Sequence, residues 1–364
     1  MKKKRLSDTL LWQLILVALL VILCVVFESV DDAKDAALIA KGRKAKDVFN
    51  FAKMLSGMRP YMLYSFMALG MSLLLGMGDI DISAGALAAL SASAMGVSYR
   101  AMLQSGVAPS WAFGLSVGVC LVTGAFCGLL NGYLVTRFRE LFPMIITLGT
   151  QLFFRGICYL LLGGDTLKFD GDETWALLKR LYNGDVSVFG LTIPSVIVWF
   201  LGFAVLFFAF LHITTAGRKL FAIGTNRTAA VYSGVRVNRF ELTMFVICGF
   251  MAAVSSLFYV GSASATIRAD AMSGYEMYAI AVVVLGGFST SGGKGNIVGV
   301  ILSVAIFGVM KKGLGTLFNF PDSTVNLAVG LVLILSSLIP NVIEDLSVRA
   351  RARRRRPRLR GVKE

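Results

Sequence analysis

The chain has 364 residues, 56% of them hydrophobic and 16% charged, with a formal net charge of +15 and a mean hydropathy of +0.75. Soluble domains carry about 25% charged residues, so a water-soluble globular fold is excluded. Apolar runs of roughly 17–25 residues, enough to cross a bilayer core, recur along the whole length and are too long and uniform for barrel strands.

In lipid such runs must close their own backbone hydrogen bonds as helices. The sequence therefore predicts an all-α, polytopic helical membrane protein with about ten transmembrane helices. One transmembrane domain is expected over residues 1–345 and a basic tail over 346–364.

The basic start, Lys2 to Arg5, precedes a first span at Leu10–Phe27. No small-residue cleavage site follows Phe27, so this span reads as retained rather than as a signal peptide. The next interval, Asp31 to Arg59, carries Lys34, Lys41, Arg43, Lys44, Lys46, Lys53 and Arg59. It is expected to be a translocated amphipathic stretch. The second and third spans, Tyr61–Met77 and Ile82–Tyr99, flank a glycine-rich turn, Gly76 to Gly85, that contains Asp79, Asp81 and Ser83.

Trp111–Val135, Phe142–Leu162 and Pro194–His212 are the fourth to sixth spans. Leu242–Val260, Tyr275–Gly287, Val298–Met310 and Thr324–Ile339 complete the set, the eighth and ninth short enough to be broken or tilted. Five cysteines, Cys24, Cys120, Cys127, Cys158 and Cys248, all lie in apolar runs and read as small hydrophobes. The single histidine, His212, ends a span and reads as an interfacial residue.

Arg155 and Glu276 lie within or at the edges of spans. An ionisable residue in lipid is a functional candidate, but near a helix end it can snorkel to water. No titratable relay at the midplane is expected from these residues. The second glycine-rich segment runs from Gly286 to Gly299. Glycine there serves either close helix packing or unwinding around a cavity, and both readings stand.

Between the sixth and seventh spans lies GRKLFAIGTNRTAAVYSGVRVNR, Gly217 to Arg239. Asn226 can accept from the free N–H groups of a following turn. Arg227 to Ser233 then makes about two turns of helix, with Gly234 as the terminating residue. Such a capped helix between spans offers a rigid shape to a partner; the competing description is a solvated basic loop.

Sequences that carry chemistry are missing. Gly286 to Gly295 fails as a phosphate loop, because Phe288 stands where its first glycine belongs and Gly295 where a magnesium-binding Ser or Thr belongs. HExxH does not occur. Ser289 and Ser291 lack a nearby general base. No cofactor, metal or catalytic residue is expected.

Lys and Arg in short flanks set orientation. Lys2 to Arg5, Arg137 and Arg139, the 217–239 loop, and a tail with Arg349, Arg351, Arg353 to Arg356, Arg358 and Arg360 share the cytoplasmic side if both termini are cytoplasmic. The positive charge then meets anionic lipid rather than nucleic acid.

Several segments together resemble the permease subunits of bacterial ATP-binding-cassette sugar importers of the ribose, xylose, rhamnose and autoinducer type. These are Asp81 to Gly85, Asn131 to Val135, Phe142 to Thr150 followed by Arg155-Gly156, Gly217 to Val235, and Gly274 to Gly299, so the similarity runs from about Met67 to Ile339. Asp79 departs from the pattern, standing where the family usually has glycine.

The resemblance implies an inner-membrane permease, one half of a homo- or heterodimeric pathway. It implies a separate ATPase subunit and a periplasmic substrate-binding protein as partners. It places ATPase coupling on Gly217, Arg218, Asn226, Arg227, Ala229, Ala230 and Gly234, with Ala229 to Val231 facing the partner and Arg227 at the rim. Asp79, Asp81, Ser83, Thr147, Arg155, Tyr275, Glu276 and Ser289 are the pathway candidates. An ion-coupled secondary carrier for a small metabolite is the alternative.

Overall fold

A computed structural model describes residues 2–40, 51–169, 173–188, 190–262, 266–321, 323–328, 330–332 and 334. Its helices are α1 (Lys2–Ala40), α2 (Phe51–Gly57), α3 (Leu63–Met77), α4 (Ala84–Gln104), α5 (Pro109–Arg137), α6 (Pro143–Leu162), α7 (Ala176–Asn183), α8 (Ser195–Phe208), α9 (Thr215–Thr225), α10 (Arg227–Tyr232), α11 (Val237–Ser262), α12 (Tyr275–Leu285) and α13 (Ile297–Leu317). A short apolar helix over Ser323–Val332 follows. The basic tail lies outside the described residues, as do Lys41, Arg43, Lys44 and Lys46.

Eight described helices are long and apolar enough to cross a membrane, and Tyr275–Leu285 and Ser323–Val332 are shorter apolar helices. The polytopic helical class is as expected, with two differences. The first helix continues through Asp31 to Ala40, so the amphipathic stretch begins as an extension of the first span. The ninth span is full length at 21 residues, because Met310 is followed by Lys311 and Lys312, whose polarity hides a helix that in fact continues to Leu317. The eighth, at 11 residues, is short as expected.

The bundle is centred on α3, all 15 residues of which are buried. Helices gain little from hydrophobicity when they meet within lipid, so they associate through close packing of small residues. At the crossing of α5 and α11, a side chain on Gly249 would collide with the Gly124 carbonyl and approach Gly128 Cα to 2.9 Å. At the crossing of α12 and α13, a Cβ on Gly299 would overlap the Gly286 carbonyl oxygen.

Irregular segments cluster at the two ends. At one end a two-residue ladder joins β1 (Leu167–Lys168) to β4 (Thr266–Ile267), and a hairpin pairs β2 (Asp185–Val188) with β3 (Leu191–Pro194). Helix α9 packs near the opposite end of α3, where Gly293 N donates to Gly76 O at 2.9 Å.

The glycine crossing generates a stability prediction. Gly249→Ala should destabilise the detergent-solubilised protein by about 1–3 kcal/mol through overpacking. Gly202→Ala adds a Cβ with nothing within 4 Å, and should stay within about 0.5 kcal/mol of wild type. Thermal unfolding of both variants side by side reads the difference.

Candidate functional site

Helix α10 forms as its end signals require. Asn226 Oδ1 accepts from Ala229 N at 2.9 Å. At the other end Gly234 N donates to Val231 O at 2.9 Å and Val235 N to Ala230 O at 3.1 Å, with Gly234 at φ +80°. This pair of bonds is the glycine-terminated closure of a helix. Upstream, Thr214 caps α9 by accepting from Gly217 N at 3.4 Å, and Gly217 is required because a Cβ there would overlap the Leu211 carbonyl.

Two expectations about α10 are corrected. Ala230 is only 4% exposed, because it lies on the side that packs against the protein's own helices. Arg227 is occupied within the chain, pairing with Glu241 on α11. The outward residues are instead Thr228, Ala229, Val231 and Tyr232, with Tyr232 87% exposed.

Glu241 joins several elements. Besides Arg227 it takes Arg139 Nη2, from the turn after α5, at 2.6 Å, and that guanidinium also reaches Asn238 Oδ1 at 2.8 Å. Asp79 sits beside this group in the turn after α3. Burial, and then the neighbouring Glu241 carboxylate, push the Asp79 carboxyl up to about 8.

Deeper in the bundle the α3–α4 turn is held by side chains of two other helices. Asp81 Oδ1 accepts from Ser83 N at 2.8 Å and from Ser83 Oγ at 2.7 Å. Asn131 on α5 donates to Ser83 Oγ at 2.7 Å and to Asp81 Oδ2 at 3.3 Å. Ile82 N donates to Thr147 Oγ1 on α6 at 3.2 Å.

A second polar group lies across Gly85. Glu276, at the start of α12, accepts from Gln151 Nε2 at 3.3 Å and from Gly274 N at 3.2 Å. Its Oε2 occupies the space a Cβ on Gly85 would need, and the Met272 backbone carbonyl would lie 2.7 Å from that Cβ, so glycine is required there. Arg155 donates to the carbonyls of Ala269 and Ala271 at 2.8 and 2.7 Å, so it fastens the segment between β4 and α12.

Arg155 and Glu276 were expected within or at the edges of spans, where a charge near a helix end can snorkel. Glu276 is buried at 3% exposure and Arg155 sits in the middle of α6. Each is stabilised by protein dipoles, since the 268–274 segment turns into the bundle and presents its backbone. Arg155 Nη2, Glu276 Oε2, Asn131 Oδ1 and Asp79 Oδ2 are buried polar atoms that find no partner.

The pathway candidates thus separate. Asp81, Ser83 and Thr147 form one group, and Arg155 and Glu276 flank the next, across Gly85. Tyr275 stacks edge-on with Tyr64 and Tyr259, centroids 6.4 Å apart in each pair. Ser289 is remote from both groups, in the loop after α12, where its backbone N–H donates to Lys294 O at 3.1 Å. Sequence reasoning missed Asn131 as a ligand of Asp81, and missed Gln151, Arg139 and Glu241. The signal for Glu241 was a carboxylate in an apolar helix within reach of two arginine-bearing turns. His212, expected to be interfacial, accepts from Ile297 N at 3.3 Å through Nε2. Among the described residues no group of three or more His, Cys, Asp or Glu could hold a metal ion.

The sequence profile of the branched-chain amino acid transport system/permease component family matches residues 53–337. The chain is 32% identical over 307 residues to the autoinducer 2 import system permease protein LsrD of Escherichia coli K12, covering 83% of this chain and 84% of that protein. LsrD of Shigella flexneri and of Escherichia coli O157:H7 match at the same identity and coverage. No solved structure matches. The chain belongs to this family of transport-system permease components.

Asp79 and Glu241 generate predictions here. A carboxyl that holds its proton up to about pH 8 in the native state and ionises near pH 4 when unfolded contributes stability that is lost as pH rises between those values. Asp79→Asn should therefore flatten the fall of the unfolding midpoint between pH 4 and 8. Glu241→Ala removes the carboxylate that Arg227 and Arg139 share and should cost about 1–3 kcal/mol, measured by thermal unfolding in detergent.

Proposed function

We propose that this permease component forms half of the membrane pathway of an ATP-driven importer for a monosaccharide or a related small polyol or signal molecule. A separate ATPase subunit would dock on the 217–239 loop, and a periplasmic binding protein would deliver substrate to the opposite face. A second permease subunit, identical or homologous, would complete the pathway. The tail over 346–364 would rest on anionic lipid.

One observation carries this reading best. Helix α10 is a two-turn element, too short to persist alone, yet it is capped at both ends and tied to the bundle through Arg227 and Glu241. It presents Val231 and Tyr232 outward, 55% and 87% exposed. Tyrosine on a rigid support is a frequent energetic anchor of protein interfaces. Substrate class is supported by the relatives, whose name describes import of autoinducer 2. The polar groups around Asp81, Asn131, Gln151, Glu276 and Arg155 suit a hydroxylated molecule, which both donates and accepts hydrogen bonds.

On this reading both termini and the 217–239 loop face the cytoplasm. A thiol-specific, membrane-impermeant reagent should then fail to label Arg236→Cys in intact cells when the native cysteines are replaced. Efficient labelling would reverse the orientation.

The docking claim is tested by Tyr232→Glu and Val231→Arg, both on the exposed face. Each should leave membrane abundance unchanged, release the ATPase from the detergent-purified complex, and reduce uptake at least tenfold. Retention of the ATPase with normal uptake would contradict the assignment.

A further inference from the structure

The basic interval before α3 and a groove near it remain outside the pathway just described. Helices α1, α2, α8 and α13 enclose a cavity of about 440 Å³, lined among others by Leu20, Cys24, Met54, Met58, Ile197 and Val309. Every lining side chain is apolar or sulfur-bearing, and Cys24 Sγ lies 3.8 Å from Met54 Sδ. The cavity opens on the perimeter of the bundle, where α1 shows Val21 and Val25 with 54% and 58% exposure.

A cation stands at its rim. Ala305 and Val309 line the cavity, and Lys312 follows at the same helical face, since positions i, i+4 and i+7 stack on one side of α13. The aliphatic stem of Lys312 lies across α2 at Gly57, where a built Cβ would be 2.6 Å from both Cδ and Cε. Gly57 is adjacent to Met58, which lines the cavity. Lysine within an apolar helix is costly unless its ammonium is paired or reaches the interface. Among the described residues Lys312 makes no hydrogen bond or ion pair, whereas Lys34 reaches Leu317 O and Arg59 pairs with Asp185.

We propose that this cavity is a binding site for an anionic phospholipid, with one acyl chain between α1, α2 and α13 and the phosphate on Lys312. The leaflet is the one on the side of the β2–β3 hairpin. Charge complementarity selects the occupant. The cavity accepts hydrocarbon and offers no hydrogen bond, while its rim offers a donor with three N–H groups and a full charge. An ordinary boundary lipid, by contrast, has no headgroup preference. The site is independent of what the pathway transports.

The test uses the full chain, purified and delipidated in mild detergent. Phosphatidylglycerol and phosphatidylethanolamine with identical acyl chains are added in equal amounts, and bound lipid is counted by native mass spectrometry. Wild type should retain one phosphatidylglycerol with at least tenfold preference. Lys312→Gln should remove the preference and Lys312→Arg should keep it. Cys24→Trp, which fills the cavity, should abolish retention of both lipids, with thermal unfolding in lipid-free detergent confirming that each variant is folded. Equal retention of the two lipids by wild type, retention of neither, or an unchanged preference in folded Lys312→Gln would overturn the proposal.

Discussion

Lipid offers no hydrogen bonds, so every interruption of a helix inside this bundle must be satisfied by the protein itself. The chain is interrupted between α3 and α4, between β4 and α12, and between α12 and α13, and each break is met by a residue from elsewhere. Thr147 accepts Ile82 N, Asn131 holds Ser83 and Asp81, Arg155 donates to Ala269 and Ala271, and His212 accepts Ile297 N. The positions of α5, α6 and the turn that follows α8 follow from this requirement as much as from apolar packing.

The consequence is a run of polar contacts from one end of the bundle toward the other. It begins at α10, where Arg227 meets Glu241, with Asp79 beside that pair, and resumes in the same α3–α4 turn at the Asp81–Ser83–Asn131 group. Across Gly85 it reaches Glu276, and beside it Arg155 fastens the segment leading from β4. The missing side chain of Gly85 is what lets the α3–α4 turn and the start of α12 touch. A second contact is built wholly of backbone. Gly76, Gly224 and Gly293 meet so closely that a Cβ on Gly224 would collide with Gly76 O and Gly293 N. The end of α3, the end of α9 and the loop before α13 are thereby packed as one joint directly behind α10. Contiguity of this kind is a physical basis for coupling, and the coupling itself is a free energy to be measured.

Much of this was legible in the sequence. The helical class followed from the apolar runs, and the α10 caps followed from Asn226 and Gly234. Both glycine-rich segments were visible, though not that they touch each other, since contact between residues some 200 positions apart leaves no local pattern. The inward side of α10 was misjudged for a related reason. Six residues carry too little periodicity to say which face is buried, and only the Arg227–Glu241 pair fixes the helix's rotation. Arg155 and Glu276 were placed within or at the edges of spans, and hydropathy does not say what a charge inside a span meets. It cannot anticipate the 268–274 segment, which brings carbonyls to the arginine and an N–H to the carboxylate.

The docking role proposed for α10 requires that it and the glycine joint behind it move as one body. In the complex proposed with an ATPase and a second permease subunit, spin labels at Thr228 and Ser291 of this chain and a third on the second subunit measure this directly by pulsed electron paramagnetic resonance. With ATP bound, the distance from Thr228 to the second subunit should change while the Thr228–Ser291 distance stays constant. A change in the Thr228–Ser291 distance as large as that between subunits would contradict the account.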